Sequence, residues 1–276
     1  MKKLFTSVAL LTSVIAYSQV TCCAKPKSTD AFAMFTGDKK FVAAHEEPIP
    51  FTLSSPKGKN ISFSTEDGKL GYAYEVGDTK NKSVIFVIHE WWGLNDYIKQ
   101  ESERIAKETG ARVIALDLYD KKIAFVRDSA SKYMSEVKTG RAADIIRGAL
   151  KYVGTDAKIA TIGWCFGGGW SMQASLLAGK QAKACVIYYG MPEDNLKKLT
   201  TLNAPVMFVF AQKDEWINKE VVTKFEVQMK EAGKDVVIKT YDADHAFANP
   251  SNPHFQKSFS EDAFVNARDF IKKHLK

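Results

Sequence analysis

Gly163-Trp164-Cys165-Phe166-Gly167-Gly168-Gly169 is the stretch that decides the fold. It follows the apolar run Lys158-Ile159-Ala160-Thr161-Ile162 and leads into helix-forming residues 171–178. A strand, a tight glycine-flanked turn and a helix form a nucleophile elbow, with cysteine where serine is usual. Small residues suit such a turn because the backbone is strained and neighbouring chains approach closely. The turn would lift the Cys165 sulfur above the sheet, at the start of the following helix. Backbone N–H groups there favour a thiolate and any oxyanion that develops beside it.

Outward from the elbow the pattern alternates. Residues 61–64 and 70–75 suggest a hairpin across Glu66-Asp67-Gly68. Residues 83–88, 112–116, 158–162, 183–188, 205–210 and 236–241 are short apolar runs expected as strands. Residues 97–109, 141–153, 219–232 and 262–275 carry helical spacing, and Gly110 and Gly154 stop the first two. Such alternation implies a mostly parallel sheet with helices on both faces, plus an antiparallel hairpin at one edge. With the elbow in mid-sheet, this predicts the α/β class, specifically an α/β-hydrolase fold over residues 59–276.

Residues 19–58 contain Pro26, Pro48, Pro50 and Pro56 among many polar residues. They read as an irregular N-terminal tail or arm without a motif, with packing on the domain left open. Before them, Lys2 and Lys3 precede an apolar stretch, 4–16, and Ala16-Tyr17-Ser18 offers small residues where a signal peptidase reads. The expectation is a signal peptide, 1–18, cut after Ser18, giving a secreted or periplasmic protein. The apolar run is short for stable membrane insertion. A lipid anchor on Cys22 or Cys23 is the alternative, disfavoured by the preceding Gln19-Val20-Thr21.

The formal charge of +7 loses Lys2 and Lys3 and no acid with the signal, leaving 7 − 2 = +5. Lysines are interspersed with acids, and no basic run carries interleaved aromatics, so nucleic acid is not an expected partner. The four cysteines, Cys22, Cys23, Cys165 and Cys185, make no disulfide framework and no C-x-x-C pair. Cys185 lies in an apolar strand and reads as core.

A cysteine nucleophile needs a base, and the base needs an orienting acid, in the chain order nucleophile, acid, histidine. Asp214 directly follows the strand ending at Phe210, and His245 directly follows the strand ending at Tyr241. Sites in open α/β sheets form at such carboxyl ends. Cys165, Asp214 and His245 are therefore the expected triad. His254 and His274 are weaker candidates. Upstream, His89-Glu90-Trp91-Trp92-Gly93 follows the strand ending at Ile88. A zinc-protease reading fails there because position 93 is glycine. Trp91 and Phe166 are the candidate oxyanion-hole N–H donors, and Glu90 would lie beside the sulfur, paired or protonated.

These residues together resemble the dienelactone hydrolase family. The resemblance rests on the elbow, on Glu90-Trp91-Trp92-Gly93-Leu94-Asn95, on Asp117-Leu118-Tyr119, on Asp214 and on His245-Ala246-Phe247. It implies a Cys-His-Asp triad, and a Glu90 that keeps the resting thiol protected until substrate binds. Aromatic-degrading members hold the dienelactone carboxylate with two arginines. Lys121 and Asn249 stand in those places here, with Trp92 a further substrate contact. A point charge and a neutral amide do not reproduce two guanidinium forks.

The expected function is hydrolysis of a small ester, lactone or thioester through an acyl-enzyme, with no metal and no organic cofactor required. Acyl transfer, peptide hydrolysis, or a non-catalytic binding protein on the same fold are the alternatives. The five tryptophans fall near predicted site loops or in the core.

Overall fold

The computed structural model describes residues 28–276. The expected signal peptide, its cleavage site, Cys22 and Cys23 lie outside the described residues.

Eight strands form one sheet: β1 (Lys59–Ser64), β2 (Leu70–Val76), β3 (Ser83–Ile88), β4 (Arg112–Asp117), β5 (Lys158–Trp164), β6 (Ala182–Tyr188), β7 (Val206–Ala211) and β8 (Val236–Tyr241). Their order is β1-β2-β4-β3-β5-β6-β7-β8. The hairpin β1–β2 is antiparallel, and β2 also pairs antiparallel with β4. All pairings from β4 through β8 are parallel. This is the α/β-hydrolase architecture that the alternation and the edge hairpin imply. The central strands are apolar throughout because both faces are covered. Residues Val84 to Ile88 are fully buried, as are Val113 to Leu116.

The helices are α1 (Ser28–Ala33), α2 (Lys39–Ala44), α3 (Asp96–Thr109), α4 (Arg127–Glu136), α5 (Thr139–Val153), α6 (Phe166–Ala178), α7 (Leu196–Leu199), α8 (Lys219–Glu231) and α9 (Lys257–His274). Helices α3 and α9 pack on each other, and α5 packs on α6, placing one layer on each side of the sheet. Asn95 caps α3 by accepting from the Ile98 N–H at 3.1 Å, and Gly110 ends it in the left-handed conformation.

Two local expectations differ from the structure. Helix α6 starts at Phe166, directly after Cys165, and not near residue 171. The N-terminal arm is not irregular in its first part. It holds α1, a 3₁₀ turn (Met34–Gly37) and α2. Asp38 caps α2 through the Lys40 N–H at 2.8 Å. Phe32 and Phe41 of this arm are 2% and 0% exposed, so the arm is a packed part of the domain. It is tied down by Gln173 to Ser28, by Ser131 to the Thr36 carbonyl at 3.1 Å, and by the Trp216 indole to Asp38 at 3.3 Å.

Candidate active site

The elbow is built by β5 running into α6. Cys165 sits between them at φ 55°, ψ −120°, a region L-residues avoid. Its N–H donates to the Tyr188 carbonyl at 2.9 Å, and its carbonyl accepts from the Gly168 N–H at 3.0 Å. The flanking glycines are there for space. A Cβ on Gly163 would stand 2.1 Å from the Gly167 carbonyl oxygen, and one on Gly167 would stand 2.3 Å from that of Ile88.

The β8–α9 loop brings His245 to the same place, and the β7–α8 loop brings Asp214. His245 Nδ1 lies 2.5 Å from Asp214 Oδ2. Asp214 Oδ1 accepts from the Trp216 and Ile217 N–H groups, each at 2.9 Å. One carboxylate oxygen is thus fixed by backbone while the other faces the imidazole. Burial opposes the charge on Asp214, but the His245 imidazole and these N–H donors outweigh it and hold its carboxyl below the usual range. Burial likewise opposes the charged His245, but Asp214 and the Cys165 sulfur outweigh it and raise His245 well above the ordinary value. Burial pushes the Cys165 thiol up, against the pull of His245.

Glu90, from the β3–α3 loop, lines a small space of about 10 Å³ together with Cys165, Trp91, Trp92 and Asn249. Its carboxyl accepts from the Asn249 amide, and the Tyr189 hydroxyl donates to it at 3.4 Å. Asn249 Oδ1 in turn accepts from the Ser251 N–H at 2.8 Å and hydroxyl at 2.7 Å, which fixes the amide's orientation. Burial pushes Glu90 up to about 7. Neither the Trp91 N–H nor the Phe166 N–H is taken up by a carbonyl among the described residues. His89 is structural in its contacts. Its Nδ1 lies 2.6 Å from the Glu90 carbonyl, and its Nε2 accepts from the Leu118 N–H at 3.1 Å.

Of the residues singled out in the sequence, the structure brings Cys165, His245, Asp214, Glu90, Trp91, Trp92, Phe166 and Asn249 together. Lys121 is the exception. Asp120 and Lys121 adopt φ of 50° and 73°. The Lys121 ammonium lies 4.0 Å over the Tyr72 ring, in a depression on β2 that does not include the thiol. Cys185 is fully buried and Trp170 is core, whereas Trp91, Trp92, Trp164 and Trp216 surround the site.

The residue that sequence reasoning missed is His45, which follows α2 at the end of the packed arm. Its Nε2 lies 3.6 Å from Cys165 Sγ, and its Nδ1 lies 2.7 Å from the Phe41 carbonyl. The ring packs between Trp91 and His245, at centroid distances of 4.4 and 5.0 Å. Burial lowers His45 to about 3, and the nearby His245 adds to the shift, so its imidazole is neutral. The signal available in the sequence is the aromatic spacing Phe32, Phe35, Phe41 beside the Asp38 cap, which marks a segment with a face to bury.

A second, larger cavity of about 230 Å³ shares Glu90, Trp92 and Asn249 with this small space. Trp92, Trp164, Tyr188, Phe255 and Phe264 give it an aromatic lining. Among the described residues lining it the cation is Arg104. Its guanidinium is already taken by Glu261 and by the Phe264 ring, 3.6 Å away.

Residues 71–275 match the family model described as the dienelactone hydrolase family. The chain belongs to the dienelactone hydrolase family. It is therefore an ester or lactone hydrolase. It is 28% identical over 204 residues to the protein Usf of Aquifex pyrophilus, covering 69% of this chain and 88% of that one. It is 24% identical to the carboxymethylenebutenolidase of a Pseudomonas species, covering 75% of this chain and 91% of the relative. In structure it is similar to the Pyrococcus furiosus esterase, with a TM-score of 0.62 at 16% identity over 84% of this chain and all of that one (100%). Among the described residues no helix is long and apolar enough to cross a membrane.

Proposed function

We propose that Cys165 is the nucleophile of this carboxylic ester hydrolase, with His245 its base and Asp214 the acid that orients it. The observation that carries the reading is the 2.5 Å contact between His245 and Asp214, set beside an elbow cysteine held at positive φ. His245 takes the thiol proton as sulfur attacks the carbonyl carbon, then returns it to the leaving alcohol. The Trp91 and Phe166 N–H groups stabilise the oxyanion, since both are without carbonyl partners among the described residues. Water, activated by the same histidine, releases the acid from the acyl-enzyme.

The substrate is an uncharged ester, lactone or thioester with an apolar or aromatic group for the 230 Å³ cavity. Among the described residues the cavity offers no unpaired cation to a substrate carboxylate, because Glu261 occupies Arg104. Asn249 is engaged with Glu90 and Ser251, and Lys121 lies over Tyr72. Dienelactone, which carries a carboxylate, is a poor fit on these grounds.

Cys165→Ala tests the reading. The variant should lose turnover of a small p-nitrophenyl ester while keeping its fold by circular dichroism. Undiminished hydrolysis would remove Cys165 from the mechanism. Export through a signal cut after Ser18 belongs to the same proposal. It is supported by Lys2, Lys3, the apolar stretch and the small residues at Ala16 and Ser18. N-terminal sequencing of the mature chain should begin at Gln19, and a chain retaining Met1 would refute it.

A further inference from the structure

Three side chains from separate parts of the fold converge beyond what a hydrolytic triad needs. His45 comes from the arm, Cys165 from the elbow and His245 from the loop after β8. One ligand atom from each lies within 4.8 Å of the other two, and all three residues are buried. We propose that His45, Cys165 and His245 form a binding site for a thiophilic divalent cation of the zinc type, which ties the packed arm to the nucleophile.

The donor set is one thiolate and two imidazoles, a set that suits Zn²⁺. The spacing also suits it. A tetrahedral zinc with ordinary Zn–S and Zn–N bonds sets sulfur and nitrogen about 3.6 Å apart. Cys165 Sγ and His45 Nε2 are 3.6 Å apart. The other separations are at most 4.8 Å, and tetrahedral zinc geometry is reached with roughly 1–1.5 Å of side-chain movement.

Both imidazoles are oriented for it. Ligating histidines characteristically engage the other ring nitrogen with a carbonyl or carboxylate. His45 Nδ1 is on the Phe41 carbonyl and His245 Nδ1 is on Asp214. The free nitrogen of His245, Nε2, is buried and has no hydrogen-bond partner among the described residues. The small space beside Glu90 and Asn249 is about one water in size, enough for a fourth ligand.

On binding, one metal–sulfur and two metal–nitrogen bonds form. The thiol S–H bond breaks, together with the Nε2–H bond of any protonated His245, and the protons pass to solvent. The occupied site has no free nucleophile, so the cation is an inhibitor of the hydrolase and not its cofactor. It also joins the arm to the elbow. The inhibition rests on Cys165 as the assigned nucleophile, whereas cation binding, read from the cobalt spectrum, does not depend on that assignment.

The test uses the full mature chain carrying Cys22→Ser and Cys23→Ser, so that the tail thiols bind nothing. Titration with CoCl₂ alone should saturate at one equivalent. It should give a near-ultraviolet sulfur-to-cobalt charge-transfer band and strong tetrahedral absorption in the visible. Zn²⁺ should displace the cobalt, stop ester hydrolysis and be reversed by EDTA. His45→Ala should weaken Zn²⁺ binding by about 100-fold or more, and Cys165→Ala should abolish the charge-transfer band. A chain without that band at one equivalent overturns the site, and this result needs no variant to fold. Equal Zn²⁺ affinity in the His45→Ala chain also overturns it.

Discussion

His45 Nε2 stands 3.6 Å from Cys165 Sγ across 120 residues of sequence. The arm therefore ends on the nucleophile itself, in a site where Cys165 is 1% exposed. Removing the imidazole should open a path to the thiol. His45→Ala is expected to raise the alkylation rate of Cys165 by iodoacetamide about tenfold or more, because the rate follows access as well as ionisation. Cys185, fully buried in β6, is the internal reference and should stay unmodified. Mass spectrometry of each peptide over time measures both, and an unchanged Cys165 rate would show that the arm does not gate the site.

Asp214 allows a cleaner separation of charge from architecture. Its Oδ1 holds the Trp216 and Ile217 N–H groups, and an asparagine oxygen can do the same. What asparagine cannot do is hold the imidazole in the tautomer that leaves Nε2 as the base. Asp214→Asn should lower kcat by about a thousand- to ten-thousandfold with little change in the thermal midpoint. A loss of activity matched by a large loss of stability would instead make Asp214 a structural cap.

The sequence exposes those parts of the site that are local. The elbow is legible because strand, glycine turn and helix lie within about twenty residues, and close approach at Gly163 and Gly167 leaves no choice of residue. Asp214 and His245 are legible because each follows directly on an apolar strand run. His45 is not, because its role depends on docking of the arm, a tertiary event that local pattern does not record. Proline and polar residues around it suggest irregular chain, while Phe32 and Phe41 supply the burial that orders it. Helix α4 is missed for a related reason, since it buries only Ala130 and Met134. Lys121 lies over Tyr72 of β2, a tertiary contact that its local sequence does not record.

Glu90 faces the sulfur across the small space it shares with Cys165. Its negative charge works against a thiolate, in the same direction as burial. Glu90→Gln keeps an oxygen for the Asn249 amide and removes the charge. The thiol of the variant should ionise at lower pH than that of the parent, followed as thiolate absorbance at about 240 nm against Cys165→Ala. A thiolate curve displaced to higher pH would mean that Glu90 acts only through packing.

Glu101 lies in the aromatic cavity, where burial outweighs the nearby Arg104 and pushes its carboxyl from 4.5 up to about 7. The native state therefore holds a proton that the unfolded chain has released between those values. Its contribution is favourable below about pH 4.5 and is lost as pH rises toward 7. Glu101→Gln should remove this loss. The variant is expected to be about 1–2 kcal/mol more stable than the parent at pH 8, the full shift being discounted for partial solvent exposure. The side chain keeps 25% of its surface exposed, and its contact with Arg104 is long, at 3.9 Å, so little attraction is given up. Urea unfolding at pH 5 and pH 8 measures the difference. The advantage should shrink toward pH 5, and a variant less stable than the parent at pH 8 would show that Arg104 holds Glu101 as a charged partner.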